Sequence, residues 1–99
     1  MNSSRLYGSI GLAAKAGALA SGDFAAEKAL SAGKARLVLL DRTCSEATRD
    51  RYEGICAHRG VPFLYVDELG DRIGKPGRKI AAVTDENFQN LILRASGQN

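Results

Sequence analysis

Apolar residues recur along the chain in two alternating patterns, one typical of helices and the other of buried strands. Spacings of three and four residues, as at Leu6, Ile10 and Ala13, predict a first helix that begins at Ser4 and ends at Gly17. Residues 37–40 are four consecutive large aliphatics, which predicts a strand covered on both faces. The same patterns predict further strands at residues 18–21, 62–66 and 79–84, and further helices at residues 23–32, 45–59, 67–73 and 85–95.

This alternation predicts a three-layer α/β/α sandwich in which helices cover both faces of a small, largely parallel sheet joined by right-handed crossovers. The chain has 99 residues and no internal repeat or linker, so residues 1–99 are expected to form a single domain. Gly8 and Gly11 interrupt the first helix, where each costs about 1 kcal/mol relative to alanine. They predict that another element crosses close to this helix.

Composition excludes several classes of protein. No run approaches the ~20 consecutive apolar residues that span a bilayer, and residues 1–8 do not resemble a secretory signal. We therefore expect a cytoplasmic protein without a membrane partner. Cys44 and Cys56 are too few for a disulfide framework, and with His58 alone they cannot complete a zinc site. Both are expected to be reduced thiols, with Cys56 packed against the sheet.

Signatures of enzymes are not found in the sequence. The segment GKPG at residues 74–77 lacks the Gly-Lys-Ser/Thr pattern of a phosphate loop and connects a predicted helix to a strand. His58, near the end of a helix, has no nucleophile or orienting group at a suggestive spacing. We expect a protein that is not an enzyme and needs neither a cofactor nor a metal.

The net charge of +3 is informative only through its distribution. Four cations and no acids lie in residues 72–79, and glycine and proline restrict the shape of this segment. A second basic set lies in residues 28–36. If the two sets converge at one end of the sheet, they form a surface for RNA phosphates, with Gly22 allowing close approach to the start of a helix. The cations concerned are Arg72, Lys75, Arg78 and Lys79 in the first set and Lys28, Lys34 and Arg36 in the second.

Two blocks of the sequence resemble the ribosomal kink-turn-binding protein family, especially its short bacterial members. The first block is GDFAAEKAL at residues 22–30, followed by GKA at residues 33–35 and the aliphatic strand. The second is VPFLYV at residues 61–66, followed by Leu69, Gly70, Gly74 and AAV at residues 81–83. The likeness extends over residues 6–93.

This resemblance implies a four-stranded mixed sheet, no catalysis, and binding to kinked or internally looped RNA in association with the ribosome or translation. It also implies that Gly22 and Lys28 lie at the RNA surface and that residues 74–78 form the second contact region. Together with the basic pattern, it predicts a monomeric, non-catalytic RNA-binding protein. The predicted RNA-binding residues are Gly22, Phe24, Lys28, Lys34, Gly74, Lys75, Arg78 and Lys79.

The sequence departs from the family's pattern at four positions. Two of them are Ala32, where the family often has a basic residue, and Lys75, where its loop contact is usually apolar. Between its glycine and lysine the family has Asn or Lys followed by Glu or Gln, whereas this chain has Phe24 and Ala25. Phe24 is interpreted preferentially as a core residue, the alternative being an exposed ring that stacks an unpaired base. The loss of polar groups favours a second hypothesis, a protein-interaction adaptor that kept the scaffold and lost kink-turn recognition.

Overall fold

The computed structural model describes residues 3–97, and of Ser3 only the backbone. Helices and strands alternate along this part of the chain, as the apolar patterns predict. Their bounds differ from the predicted ones by one or two residues at most ends. The elements are α1 (Ser3–Lys15), β1 (Leu19–Ser21), α2 (Asp23–Ser31), β2 (Leu37–Asp41), α3 (Glu46–Arg59), β3 (Phe63–Val66), α4 (Leu69–Arg72), β4 (Ile80–Val83) and α5 (Glu86–Ala95).

The four strands form one mixed sheet in the order β1-β4-β2-β3. β2 and β3 pair in parallel, whereas β4 pairs antiparallel with both β1 and β2. The four-stranded mixed sheet is confirmed, but the expectation of a largely parallel sheet is wrong for its pairings. Three strands do run in one direction; β4 is reversed and lies between two of them. The reason is the β3–β4 connection, whose single helical turn in α4 stays at one end of the sheet instead of crossing over.

Helices cover both faces of the sheet and enclose two separate apolar cores. One core lies between the sheet and helices α1, α4 and α5, and the other between the sheet and helices α2 and α3. All residues of β2 and β4 are buried, because these central strands are covered on both sides. The three-layer sandwich predicted from the sequence is therefore confirmed. Both cysteines are buried, and burial raises the pKa of the Cys56 thiol to about 11.

The ends of α3 follow directly from local sequence. The Ser45 hydroxyl accepts a hydrogen bond from the Thr48 amide at 3.1 Å, which satisfies one unpaired donor of the first turn. Gly60 ends the helix in a left-handed conformation with φ of 69°, which residues other than glycine seldom adopt. Local signals of this kind explain why this helix was predicted with correct ends.

Another segment packs closely against a glycine of α4, Gly70, but not against the glycines of α1, where the sequence predicts such a contact. A β-carbon on Gly8 would meet nothing within 4 Å, and one on Gly11 would make an ordinary contact with the Arg72 carbonyl oxygen at 3.6 Å. On Gly70 it would lie 2.7 Å from the Lys75 carbonyl oxygen and 2.9 Å from the amide nitrogens of Gly77 and Arg78. The loop at residues 74–79, called the basic loop below, is folded directly onto Gly70.

Replacement of Gly70 by alanine is therefore expected to displace the basic loop and to lower the free energy of unfolding by about 1–3 kcal/mol, the usual cost of overpacking. Chemical denaturation measures this loss. The control is Gly54→Ala, at an exposed helical position where a β-carbon meets nothing within 4 Å; it should stabilise the protein by about 0.5–1 kcal/mol. Equal stability of the Gly70→Ala variant and the parent would contradict the close packing of this loop.

Candidate functional site

The carboxyl ends of β1, β2 and β3 meet the start of β4 at one end of the sheet. The Gly22 amide, just after β1, donates to the Ile80 carbonyl oxygen at 2.8 Å. The Asp41 amide, at the end of β2, donates to the Lys79 carbonyl oxygen at 2.9 Å. These two bonds place the basic loop between the start of α2 and the end of β2.

Arg78 joins the basic loop to the start of α2. Its Nη1 atom donates to the Ser21 carbonyl oxygen at 3.2 Å, and the guanidinium lies over Gly22. Gly22 has φ of 96°, which favours glycine, and a β-carbon here would displace the flexible end of the Arg78 side chain. The sequence singled out Gly22 and Arg78 separately, and the structure brings them into contact.

Helix α2 presents Phe24 and Lys28 together to solvent. They are four residues apart and line one shallow surface groove with Asp23, Glu27 and Ser31. Phe24 is 81% exposed, so the preferred interpretation of this ring as core is wrong. The buried face of α2 is made by Ala26, Ala29 and Leu30. Phe24 precedes Ala26 by two residues, a rotation of about 200° around the helix, and so lies on the opposite side.

Lys28 and Arg78 are both exposed, and neither forms an ion pair with another residue in the range 3–97. Arg78 lies at the start of α2, and Lys28 follows Gly22 by six residues, a rise of about 9 Å along the helix. Arg78 therefore lies at the start of the helix that carries Lys28, although the two residues are fifty positions apart in the chain.

Lys34 and Arg36 lie elsewhere. Lys34 follows the end of α2, and the Arg36 amide donates to the Val83 carbonyl oxygen at 2.7 Å, at the end of β4. The basic loop precedes the start of β4, so it lies at the opposite end of the sheet. The expected convergence is therefore wrong for these two residues, because they follow α2 and α2 runs away from the basic loop.

Lys79 is directed toward the end of β2 rather than toward α2. Its Nζ atom donates to the Thr43 hydroxyl at 2.6 Å and lies 4.0 Å from Asp41 Oδ1. Lys75 is also exposed, and it follows Gly74 near the start of the loop. The loop's shape comes from backbone bonds between the Lys75 amide and the Gly70 carbonyl and between the Arg78 amide and the Lys75 carbonyl, with Gly74 at φ of 75°.

Asp41 is a buried carboxylate that sequence reasoning missed. Its Oδ1 atom accepts from the Thr43 amide at 2.9 Å and hydroxyl at 2.6 Å, and its Oδ2 atom accepts from the Leu69 amide at 2.8 Å. Burial acts to raise the pKa of Asp41, but the hydrogen bonds from Thr43 and Leu69 and the charge of Lys79 outweigh it, and the pKa lies below its usual value. The sequence signal that could have identified Asp41 is its position directly after four aliphatic residues, at the end of a buried strand.

The exposed groups at this end of the molecule are suited to an anionic, planar ligand. Arg78, Lys28 and Lys75 provide positive charge, and Phe24 provides an unobstructed aromatic face. Within residues 3–97, no three or more His, Cys, Asp or Glu side chains gather as a metal site. No helix in this range is long and apolar enough to cross a membrane.

Comparison with known proteins identifies the family. The model of the Ribosomal protein L7Ae/L30e/S12e/Gadd45 family matches residues 4–93. The chain belongs to this family. The family predicted from the two sequence blocks is thus confirmed, and Gly22 and residues 74–78, which the resemblance selected, lie at the end of the sheet described above, with Lys28 on the adjoining helix α2.

Individual proteins are similar to this chain in sequence or in fold. The chain is 34% identical over 87 residues to the RNA-binding protein YlxQ of Bacillus subtilis (strain 168), covering 85% of this chain and 87% of that protein. A solved structure of a protein with unknown function from Bacillus halodurans C superposes with a TM-score of 0.89 at 27% identity, covering 95% of this chain and 98% of that one. The Giardia lamblia 15.5kD RNA binding protein shares the fold, with a TM-score of 0.76 at 21% identity over 96% of this chain and 84% of its own.

Replacement of Asp41 by asparagine is expected to destabilise the protein by about 1–3 kcal/mol at pH 7, because a charged acceptor of three hydrogen bonds is lost. The folded-state pKa of Asp41 is depressed, so its contribution is present above the unfolded value of about 3.9 and is lost as the pH falls through the folded value. Denaturation between pH 7 and pH 2 should therefore show a smaller loss of stability in Asp41→Asn than in the parent.

Asp67→Asn is the control for this series, because the Asp67 carboxylate is exposed and pairs with Arg42 at 2.9 Å on the surface. Its free energy of unfolding should stay within about 0.5 kcal/mol of the parent. An Asp41→Asn variant as stable as Asp67→Asn at pH 7 would contradict the role given to the buried carboxylate.

Proposed function

We propose that this protein is a non-catalytic RNA-binding protein, and that it binds through the start and outer face of α2 and the basic loop. The observation that carries the proposal is the contact of Arg78 with the start of α2, which places a cation from the loop beside the helix that exposes Phe24 and Lys28. Membership of the L7Ae family and the 34% identity to a protein named as RNA-binding support it.

The chemistry of the proposed surface favours the RNA backbone. Arg78, Lys28 and Lys75 neutralise phosphates and release their counterions, which binds RNA with little regard to base identity. Asp41 and Lys79 hold the end of β2 against the basic loop and so keep its backbone in place. Gly22 leaves room for the Arg78 guanidinium at the start of α2.

Phe24 would contact RNA by stacking, whereas the polar residues that the family's pattern has at this position form hydrogen bonds. A phenyl ring has no hydrogen-bond donor or acceptor for sheared guanine-adenine pairs, but it can stack on an unpaired base. We therefore propose a structured RNA with an internal loop or kink that offers an unstacked base. The protein would act as a monomer in the cytoplasm, in association with the ribosome or translation.

No catalytic step is part of this proposal. Among residues 3–97, both cysteines are buried and His58 is exposed in the last turn of α3, where positive charge is favoured by the helix dipole.

Salt dependence tests the electrostatic part of the proposal. With three or four phosphates neutralised, the logarithm of the affinity for an internal-loop RNA should fall with the logarithm of salt concentration at a slope of about −3 to −4. The double variant Lys28→Ala/Arg78→Ala should bind more weakly at every salt concentration, with a slope less negative by about 2. Fluorescence anisotropy titrations provide both quantities.

The control for charge is Lys15→Ala/Arg94→Ala, which removes two exposed cations from α1 and α5 on the other face of the sheet. Its affinity and slope should equal those of the parent. A slope near zero for the parent, or equal losses in the two double variants, would show that the RNA surface is placed wrongly.

Base stacking is tested separately by Phe24→Ala. Loss of the ring should weaken binding to an RNA with an unpaired base by about 1–3 kcal/mol, whereas Phe24→Tyr should keep most of the affinity. Stability should hardly change, since the ring is exposed. Leu12→Ala, which truncates an exposed apolar residue on α1, is the matched control. Unchanged affinity in Phe24→Ala would remove the stacking contact from the proposal.

The adaptor hypothesis remains a second candidate because the exposed Phe24 ring also suits a protein contact. Recovery of partners from cells with and without nuclease separates the two. Partners that disappear after nuclease support RNA binding, and partners that persist support the adaptor. Crosslinking and sequencing of the bound RNA then distinguishes a kinked internal loop from general contact with ribosomal RNA.

A further inference from the structure

Arg51 of α3 holds the two acidic side chains of α2. Its Nη2 atom donates to Asp23 Oδ2 at 2.7 Å, and its Nη1 atom donates to Glu27 Oε2. The Tyr52 hydroxyl donates to Asp23 Oδ1 at 2.5 Å, and the Arg51 guanidinium lies 4.8 Å from the centre of the Tyr52 ring. Both carboxylates are therefore fixed on the side of α2 that adjoins α3.

These acids lie within the proposed RNA surface. Asp23 and Glu27 line the same groove as Phe24 and Lys28. Residues 23–31 contain two acids and one lysine, so α2 alone carries an excess negative charge, which Arg51 balances. A carboxylate in this groove that lacked a partner would repel RNA bound beside it. Charges repel in this way when they are closer than the screening length, which is about 8 Å at physiological salt.

Protonation does not remove this negative charge near neutral pH. The hydrogen bonds from Arg51 and Tyr52 hold the pKa of Asp23 below its usual value. Asp23 thus stays ionised, and an ion pair is the available means of neutralising it. Arg51 is suited to this role because one guanidinium can bind two carboxylates at once.

We propose that Arg51 is a positioning residue for RNA binding: by pairing with Asp23 and Glu27 it offsets one of their two negative charges and holds both carboxylates toward α3. Phe24 and Lys28 are then the groups that α2 offers to the ligand. This inference rests on the proposed function. It differs from a purely structural role, since an exposed ion pair adds little to the stability of a fold.

The test uses the full chain and an internal-loop RNA hairpin. Arg51→Gln should weaken binding about five- to tenfold at 50 mM salt, and the loss should shrink to about twofold at 300 mM, because salt screens the freed carboxylates. Arg94→Gln, with the same loss of charge on the other face of the sheet, should bind as the parent does.

Rescue decides how Arg51 acts. Adding Asp23→Asn and Glu27→Gln to Arg51→Gln should restore the affinity to at least that of the parent, because no carboxylate then needs a partner and the local charge is one unit more positive than in the parent. Failure of this rescue in a folded triple variant would assign Arg51 a direct contact with RNA and overturn the positioning role. So would an Arg51→Gln variant that binds as tightly as the parent.

The same measurements separate this inference from the proposed function. If the parent does not bind the hairpin at any salt concentration, both fail together. If the parent binds and the Arg51 series shows no salt-dependent loss and rescue, only the inference fails. Thermal unfolding shows whether each variant is folded. If Arg51→Gln does not fold, the triple variant and Arg51→Lys decide the question. Lysine keeps the charge at residue 51 but cannot bridge both acids.

Discussion

The hydrogen bond from the Gly22 amide to the Ile80 carbonyl oxygen is the contact on which the proposed surface depends. It fixes the start of α2 beside the start of β4. Because Arg78 precedes Ile80 by two residues, this contact brings its guanidinium over Gly22, where it reaches the Ser21 carbonyl. A β-carbon at residue 22 would displace this guanidinium, so the glycine allows Arg78 to lie against the start of α2.

The reversal of β4 explains where this surface lies. In a fully parallel sheet β4 would begin beside the start of β2, and the basic loop would lie next to Lys34 and Arg36. Since β4 runs antiparallel to β2, the loop lies instead at the carboxyl ends of β1 and β2. The wrong expectation for the strand pairings and the wrong placement of Lys34 are thus one error. The source of the error is the β3–β4 connection. The sequence pattern predicts a crossover there, but the connection contains only the single helical turn of α4.

Local signals predicted most of the elements, and contacts between distant segments produced most of the site. The cap at Ser45, the glycine at residue 60 and the aliphatic run of β2 each act over a few residues and could be predicted directly. The exposure of Phe24 depends on which side of α2 meets the sheet, and that side carries Ala26, Ala29 and Leu30 rather than the larger Phe24. The ion pairs of Arg51 with Asp23 and Glu27 join residues more than twenty positions apart and have no signal in sequence spacing.

The most direct test of this account is a titration of isotope-labelled protein with an internal-loop RNA, followed by amide chemical shifts. The account predicts that the perturbed amides cluster in residues 21–28 and 74–79, on both sides of the contact between Gly22 and Ile80. Perturbations centred on α1 and α5, or on the opposite end of the sheet around Lys34, Arg36 and Arg59, would contradict it.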